Sequence, residues 1–452
     1  MAAPRSSLRA PHSVLRAPLD RRHLLRVGAV STAVSMSGWM GRLARAAEEK
    51  KVKPKRSCIL LWMFGGPSTI DLWDLKVGHE NGGPYKEIEA APDLKICEHL
   101  PKIAKHGKSL AVLRGMSTKE GDHIRGEYLM KTGQLPGAAG IQYPGIGALV
   151  AKELGDPRAE LPNFVSIAPQ RFVAQDANGP GFLGPVHAPL VVGDNQFNNN
   201  VPAGNIDAVL KVADLDRRKG IDEPTAAARL DLLREVQDDF AAGRPGSIAR
   251  SHAAAYDRAV RLMQSDGGKV FDLTAEKDAT RDKYGRNLFG QGCLLARRLV
   301  EKGVPFVEVT LGNWDTHGQN FDQVKGLCGT LDAAWAALMD DLKDRGLLET
   351  TTIVWMGEFG RTPKINAQKG RDHFPNAWST VLAGGGIKGG RAVGKTSKDG
   401  TTVEERVTPT VDLLATVCSA VGIDFEKQNM SNVGRPIRIV EKGAQPVTEV
   451  LA

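Results

Sequence analysis

Between Val304 and Met356 the chain carries two apolar patterns of different period. Val304 to Leu311 and Thr351 to Met356 are short, mostly apolar runs bounded by polar turn residues and read as buried strands. Between them Val324, Leu327, Leu331, Trp335, Leu338 and Leu342 recur at spacings of three and four. That is one face of an amphipathic helix, which Gly346 closes. Strand, helix and strand form a βαβ unit, whose crossover makes the strands parallel and brings both strand ends out on one edge of the sheet. Ligands sit at that edge in open α/β folds. The first exit carries Asp315 and His317, the second Glu358 and Arg361.

The same reading extends along the chain. Cys58 to Phe64 is a buried strand that runs into Gly65-Gly66-Pro67-Ser68 and then Asp71. Leu110 to Leu113 is a short strand whose exit loop carries Ser117, Thr118, Asp122, His123 and Arg125 before a short helix around Tyr128 to Lys131. Phe164 to Ile167 is a third strand, and residues 170–202 are rich in Pro, Gly and Asn, the composition of a loop. Residues 205–303 turn helical: Ala226 to Phe240, Ile248 to Met263 and Leu288 to Lys302 have apolar residues at helical spacing and are read as covering one sheet face. Trp378 to Leu382 is a further strand and Thr410 to Val421 a helix. The predicted fold is one α/β domain over residues 58–445, with a mostly parallel central sheet, helices on both faces and a helical insertion at 205–303.

Composition changes this picture little. The chain has 452 residues, enough to bury a large core, and a formal charge of +8. Eight arginines against one acid make residues 1–46 carry +7, leaving the remainder near +1, so the body offers no electrostatic case for nucleic acid. That leader reads as a twin-arginine export signal: Arg21-Arg22 precede a mildly apolar stretch from Val27 to Met40 and then Ala44-Arg45-Ala46, a small-x-small cleavage pattern. A charged linker, 47–57, follows. The stretch is too short and polar to span a bilayer, and no run of ~20 apolar residues occurs elsewhere, so the expectation is a periplasmic or secreted protein exported folded by the twin-arginine machinery, with no membrane span in its mature form. The five cysteines are scattered, and Cys58, Cys328 and Cys418 lie in apolar patterns as small buried hydrophobes.

Candidate chemistry gathers at the predicted strand exits. Asp315-Thr316-His317 and Arg371-Asp372-His373 each pair a carboxylate with an imidazole, and Glu358 and Asp71 add two acids. Aspartate with histidine suits zinc or manganese, whereas carboxylates alone suit calcium or magnesium. Arg361 and Arg371 either clamp an oxyanion through paired donors or form structural ion pairs. Ser68 reads either as a nucleophile or as part of a strand-ending turn. Gly389 to Thr396 fits the phosphate-loop spacing, but Ser397 to Gly400 is turn chemistry where that motif needs a helix, so the match is set aside.

At these residues the chain resembles the domain-of-unknown-function 1501 family of exported bacterial proteins. The shared marks are Gly65 to Ser68 with Asp71, Asp315 to Gly318, Gly357 to Pro363 and Gly370 to His373. The family has no assigned reaction. A more distant likeness is to the alkaline phosphatase and sulfatase superfamily, which implies an alkaline-phosphatase-like fold with Asp71, Asp315, His317, Glu358 and His373 as metal ligands. In that likeness Ser109 to Gly133, with Arg125, corresponds to the nucleophile region. Two departures stand out: Glu358-Phe359 replaces an Asp-His pair, and Gly121 occupies the nucleophile's place four residues before Arg125. That leaves Ser117, Thr118 or water to attack. The sequence therefore predicts an exported hydrolase of sulfate or phosphate esters on small molecules or carbohydrates. Asp71, Asp315, His317, Glu358, Asp372 and His373 would hold one or two divalent metals (zinc, manganese or calcium), and Arg361 or Arg125 would face the oxyanion. The rival expectation is a binding or scaffold protein that keeps the fold without the chemistry.

Overall fold

The computed structural model describes residues 55–137, 140–170, 176–193, 201–242 and 247–452; the leader and residues 47–54 of the linker lie outside the described residues. Eight strands form the central sheet: β1 (Ser57–Met63), β2 (Leu110–Met116), β3 (Phe164–Ile167), β4 (Leu190–Val192), β5 (Phe306–Leu311), β6 (Thr351–Met356), β7 (Trp378–Gly384) and β8 (Arg391–Val393). Their order is β8-β2-β7-β6-β1-β5-β3-β4. Every pairing is parallel except those of β7, which runs antiparallel to both neighbours. β1 lies at the centre, with Cys58 level with Phe306 on one side and Thr352 on the other.

Continuous apolar runs form these strands because both sheet faces are covered. Ile59, Leu61 and Met63 enter one core, and Cys58, Leu60 and Trp62 enter the other. The long helices are α1 (His123–Thr132), α2 (Ile146–Leu154), α3 (Glu223–Ala242), α4 (Ser247–Gln264), α5 (Leu288–Glu301), α6 (Asn320–Asp344) and α7 (Thr410–Val421). The first core takes Leu294 and Leu295 of α5 with Val324, Leu331, Trp335, Leu338 and Leu342 of α6. The second takes Ile146, Leu149 and Val150 of α2 and Leu413, Val417 and Val421 of α7. Trp73 bridges α6 and β6, meeting Trp335 and Trp355 edge-on with ring centroids 6.0 and 5.2 Å apart. All five cysteines are buried and unpaired. Among the described residues no helix is long and apolar enough to cross a membrane.

The sheet is mostly parallel and helices lie on both faces, as the sequence predicts. Two features differ. Of the three helices expected to cover a sheet face, only α5 does; α3 lies beside α4, buries no residue and leaves Leu232, Val236 and Phe240 exposed. The segment with phosphate-loop spacing forms edge strand β8, which pairs with β2, and then a two-residue strand, Lys395–Thr396, paired to Val403–Glu405.

Two buried charge clusters tie the fold together. At the rim beyond β1, Arg371 places Nε and Nη2 2.8 Å from the two oxygens of Asp71, which also accepts from Ser68 Oγ at 2.6 Å and Asn320 Nδ2 at 2.8 Å. The rest of that guanidinium donates to the carbonyls of Asn81, Thr362 and Pro363, so one buried ion pair joins the connections after β1 and β6 and, through Asn320, the start of α6. Beneath the sheet, Lys131 Nζ lies 2.9 Å from Glu127 and 3.1 Å from Glu308, over the ring of Trp62 at 4.3 Å. Two carboxylates here share one ammonium, and burial pushes Glu127 up to about 7 against the pull of Lys131.

Replacing Arg371 by Met strands the Asp71 charge in the interior, and chemical unfolding should show a loss of about 3–5 kcal/mol. Glu127 sits above the ~4.3 of an exposed glutamate, so the folded chain binds the proton more tightly. The stability this contributes is complete below ~4.3 and fades as pH rises toward about 7. In Glu127→Gln the stability measured by urea unfolding should fall less between pH 5 and pH 8 than in the wild type. Equal slopes for the two proteins would assign the pH dependence elsewhere.

Candidate metal centre

Strands β1, β2, β5 and β6 all end at one rim, and their exit loops are pressed together there. Glycine makes the approach possible: Gly65 has φ +112°, and a side chain on it would fall 2.5 Å from the amide of Asp315. A side chain on Gly370 would lie 1.8 Å from the carbonyl of His317. Without these side chains, Gly65 N donates to Glu358 Oε1 at 2.8 Å and Arg371 N to Thr316 O at 3.1 Å. His373 is held by a two-residue antiparallel pairing opposite Arg361. His123 opens α1, whose preceding residue Asp122 accepts from Arg125 N and caps it.

Three imidazoles surround Asp315. His317 Nε2 is 3.0 Å and His373 Nε2 3.2 Å from its Oδ1, and His123 Nε2 is 3.4 Å from its Oδ2. His317 Nε2 and His373 Nε2 are 3.0 Å apart. The far nitrogen of each ring meets an acceptor: His123 Nδ1 meets Glu358 Oε1 at 2.6 Å, His317 Nδ1 meets Asp372 Oδ1 at 2.8 Å, and His373 Nδ1 meets the carbonyl of Gly121 at 2.7 Å. A carbonyl and two carboxylates only accept, so each Nδ1 carries the proton and each Nε2 lone pair points inward. The ring of Phe359 packs against His123 and His373 at 5.1 and 4.6 Å.

Electron-rich atoms facing one another at such range require a cation between them, a proton or a metal. At His123 a proton fills this role in the metal-free chain. Burial works against the charged form of His123, but its hydrogen bonds to Asp315 and Glu358 outweigh burial and push it up to about 9. At Asp315 burial opposes ionisation, and bonds from His123, His373 and Arg361 overcome it, holding the carboxyl far below the usual range. Ligand atoms of His123, Asp315 and His373 all lie within 4.8 Å of one another, a group able to hold a metal ion.

The candidates predicted from the sequence divide into three groups. Asp315, His317 and His373 meet directly, and Asp372 and Glu358 stand behind them, gripping histidines. Glu358 is fully buried, gives Oε1 to His123 and Gly65, and has an Oε2 without a partner among the described residues. Asp71 is not part of the cluster: both its oxygens are engaged by Arg371, Ser68 and Asn320, which makes it the anchor of an ion pair instead of the expected ligand. Nor does either expected guanidinium reach toward an oxyanion. Arg361 is buried and spends its donors on the carbonyls of Gly65, Gly66 and Arg371 and on Asp315. Arg125 is exposed and forks onto Glu120 at 2.7 and 2.8 Å. Ser117 and Thr118 lie on the same rim, where Thr118 N bonds Pro375 O, but neither side chain hydrogen-bonds to the cluster. His123 is the member sequence reasoning did not assign. Its signal was present as Asp122-His123, a third acid–imidazole pair at a strand exit.

No curated protein matches the chain. Among solved structures it is similar to the PsFucS1 sulfatase from Pseudoalteromonas sp., with 14% identity, 84% of this chain and 70% of that chain covered, and a TM-score of 0.37. It is similar also to the lipoteichoic acid synthase LtaP from Listeria monocytogenes, with 9% identity, 86% and 74% covered, and a TM-score of 0.40. A third is a protein in the alkaline phosphatase superfamily from Vibrio parahaemolyticus, with 12% identity, 82% and 67% covered, and a TM-score of 0.39. The family model described as "Protein of unknown function (DUF1501)" matches residues 55–451, and the chain belongs to that family.

Proposed function

We propose that the chain is an exported metal-dependent hydrolase of sulfate or phosphate esters, with His123, Asp315, His317 and His373 as the metal-binding residues. One observation carries the reading: three Nε2 lone pairs face one carboxylate while every Nδ1 is tied to an acceptor. A histidine oriented through its outer nitrogen by a carboxylate or carbonyl is the usual support of a metal-ligating imidazole. A set with three nitrogens and one carboxylate fits zinc or manganese and suits calcium, which takes oxygen ligands, poorly. When bound, such a cation supplies Lewis acidity, polarising an ester oxygen and making water a better nucleophile near neutral pH.

The chain's own residues do the rest. Glu358, Asp372 and the Gly121 carbonyl fix the ring orientations, and Arg361 holds Asp315 in place. Phe359 shields one side from water. Carbohydrate or small-molecule esters are the substrate class, by the distant superfamily likeness of the motifs. A second reading, a binding protein without turnover, is favoured by a specific observation: among the described residues no serine, threonine or free guanidinium joins the cluster.

Metal analysis of the purified protein should find bound zinc or manganese, absent from an Asp315→Ala, His317→Ala variant; metal-free protein in both cases would remove the mechanism. Glu358→Gln should keep the fold by circular dichroism and lower metal affinity about 10–100-fold by chelator competition. Aryl sulfates and phosphates assayed with added zinc, manganese or calcium separate the two readings, since the hydrolase turns over at least one class and the binding protein none.

A further inference from the structure

At the opposite rim of the sheet lies a second concentration of charge, of the other sign. Asn163 immediately precedes β3, His187 precedes β4, and Lys152 is near the end of α2; together with Asp257, Arg258 and Arg261 of α4 they line a cavity of about 250 Å3. Three of these residues are permanent cations. Among the described residues no carboxylate lies within 4.0 Å of Lys152, Arg258 or Arg261, although most arginines elsewhere in the domain, such as Arg297 and Arg286, have acidic partners.

Their visible partners are neutral. Arg258 donates to the carbonyl of Val186, Arg261 Nη2 to that of Pro157 at 3.1 Å, and Lys152 to the side-chain oxygen of Asn429. Arg261 Nε is buried with no acceptor among the described residues. A buried guanidinium N–H without a partner costs more than an ordinary lost hydrogen bond, and two guanidiniums facing one cavity add repulsion. Burial and the charge of Arg261 accordingly hold Arg258 below its ordinary value. His187 is pushed down to about 4 by burial and by Lys152 and Arg258, so it is neutral at pH 7 and adds a donor or an acceptor but no charge. Two acids lie nearby: Asp257 is exposed, and Glu153, whose charge acts on His187 against those of Lys152 and Arg258, meets Lys427 through Oε2 and leaves Oε1 buried without a partner among the described residues.

We infer that this cavity is a binding site for a tetrahedral oxyanion, phosphate or sulfate, free or as the ester group of a small ligand. Paired guanidiniums present donors in a fork that matches two oxygens of such a group, and the ammonium supplies a third contact. The volume leaves room for a small organic body beyond the anion itself. The site is independent of the hydrolase reading, because it lies at the strand-entry edge and shares no residue with the histidine cluster.

The test is calorimetric titration of the full chain with sodium phosphate and with sodium sulfate, against sodium chloride of equal ionic strength. Running it also on the Asp315→Ala, His317→Ala variant removes anion binding at the other rim. One saturable event is expected in both proteins, weakened at least about tenfold in Arg258→Gln and in Arg261→Gln. Absence of saturable heat in either parent protein overturns the proposal, as does binding that survives both arginine substitutions. Should the arginine variants unfold, the thermal midpoint of the two parent proteins decides: phosphate or sulfate must raise it beyond chloride in both, and equal midpoints overturn the proposal.

Discussion

The parallel course of β1, β2, β5 and β6 is the constraint on which the rest depends. Because those strands run the same way, the loops after Met63, Met116, Leu311 and Met356 all emerge on one rim, and residues as distant as His123 and His373 come within one ring's width. Antiparallel β7 starts at that rim, directly after the loop that carries Arg371 to His373, and runs away from it. Crowding follows from convergence. Four loops with peptide groups in contact cannot all satisfy their carbonyls by backbone pairing, and here two buried guanidiniums supply the missing donors. Arg361 serves Gly65, Gly66 and Arg371, and Arg371 serves Asn81, Thr362 and Pro363. Each then ends on an aspartate, which neutralises the charge it brought into the interior.

That arrangement gives two aspartates opposite tasks. Asp71, 1% exposed, is saturated by donors and closes a framework. Asp315 also accepts from an arginine, but its remaining capacity faces three imidazoles at the open side of the rim. The difference is one of surroundings, not of residue type: both follow a strand and both pair with arginine. The buried acid has donors on every side, whereas the one at the surface has lone pairs for neighbours.

Much of this was legible in the sequence because apolar period and glycine position carry it. β6, β3 and α7 have the bounds read from the sequence, and the strand after Pro305 and helix α6 differ only at their ends. Asp315, His317, Glu358 and Arg361 were read as convergent because strand exits of a βαβ unit share an edge, and in the fold Arg361 bonds Asp315 while Glu358 meets His123. The roles of the acids and arginines were not legible, since an aspartate saturated by a guanidinium and one that faces three imidazoles look alike in one dimension. His123 was hidden for a related reason: its place at the first turn of α1 depends on Gly126 letting that helix approach Glu358, with a side chain there reaching 3.3 Å from Glu358 Cβ. Strands β4 and β8 escaped because each has only three residues, too few for a period to show. The exposed stripe on α3 misled in the other direction: helical spacing of apolar residues announces a face to be covered and does not say that the central sheet covers it.

The two rims therefore hold complementary electrostatic problems. At the strand-exit rim electron-rich atoms converge, and the rings cannot turn away because Glu358, Asp372 and the Gly121 carbonyl hold their outer nitrogens. A proton on His123 relieves part of that crowding at the cost of placing positive charge on a half-buried ring, and under the proposed reading a divalent cation would compete with it. At the strand-entry rim guanidiniums converge, and they too cannot turn away, because Arg258 and Arg261 are pinned by the carbonyls of Val186 and Pro157. Preorganisation of this kind costs folding free energy in the empty protein and returns it as affinity, which is why fixed like charges point to a ligand more strongly than mobile ones. A surface lysine with repelling neighbours simply extends into water; a pinned guanidinium with a buried N–H has no such escape.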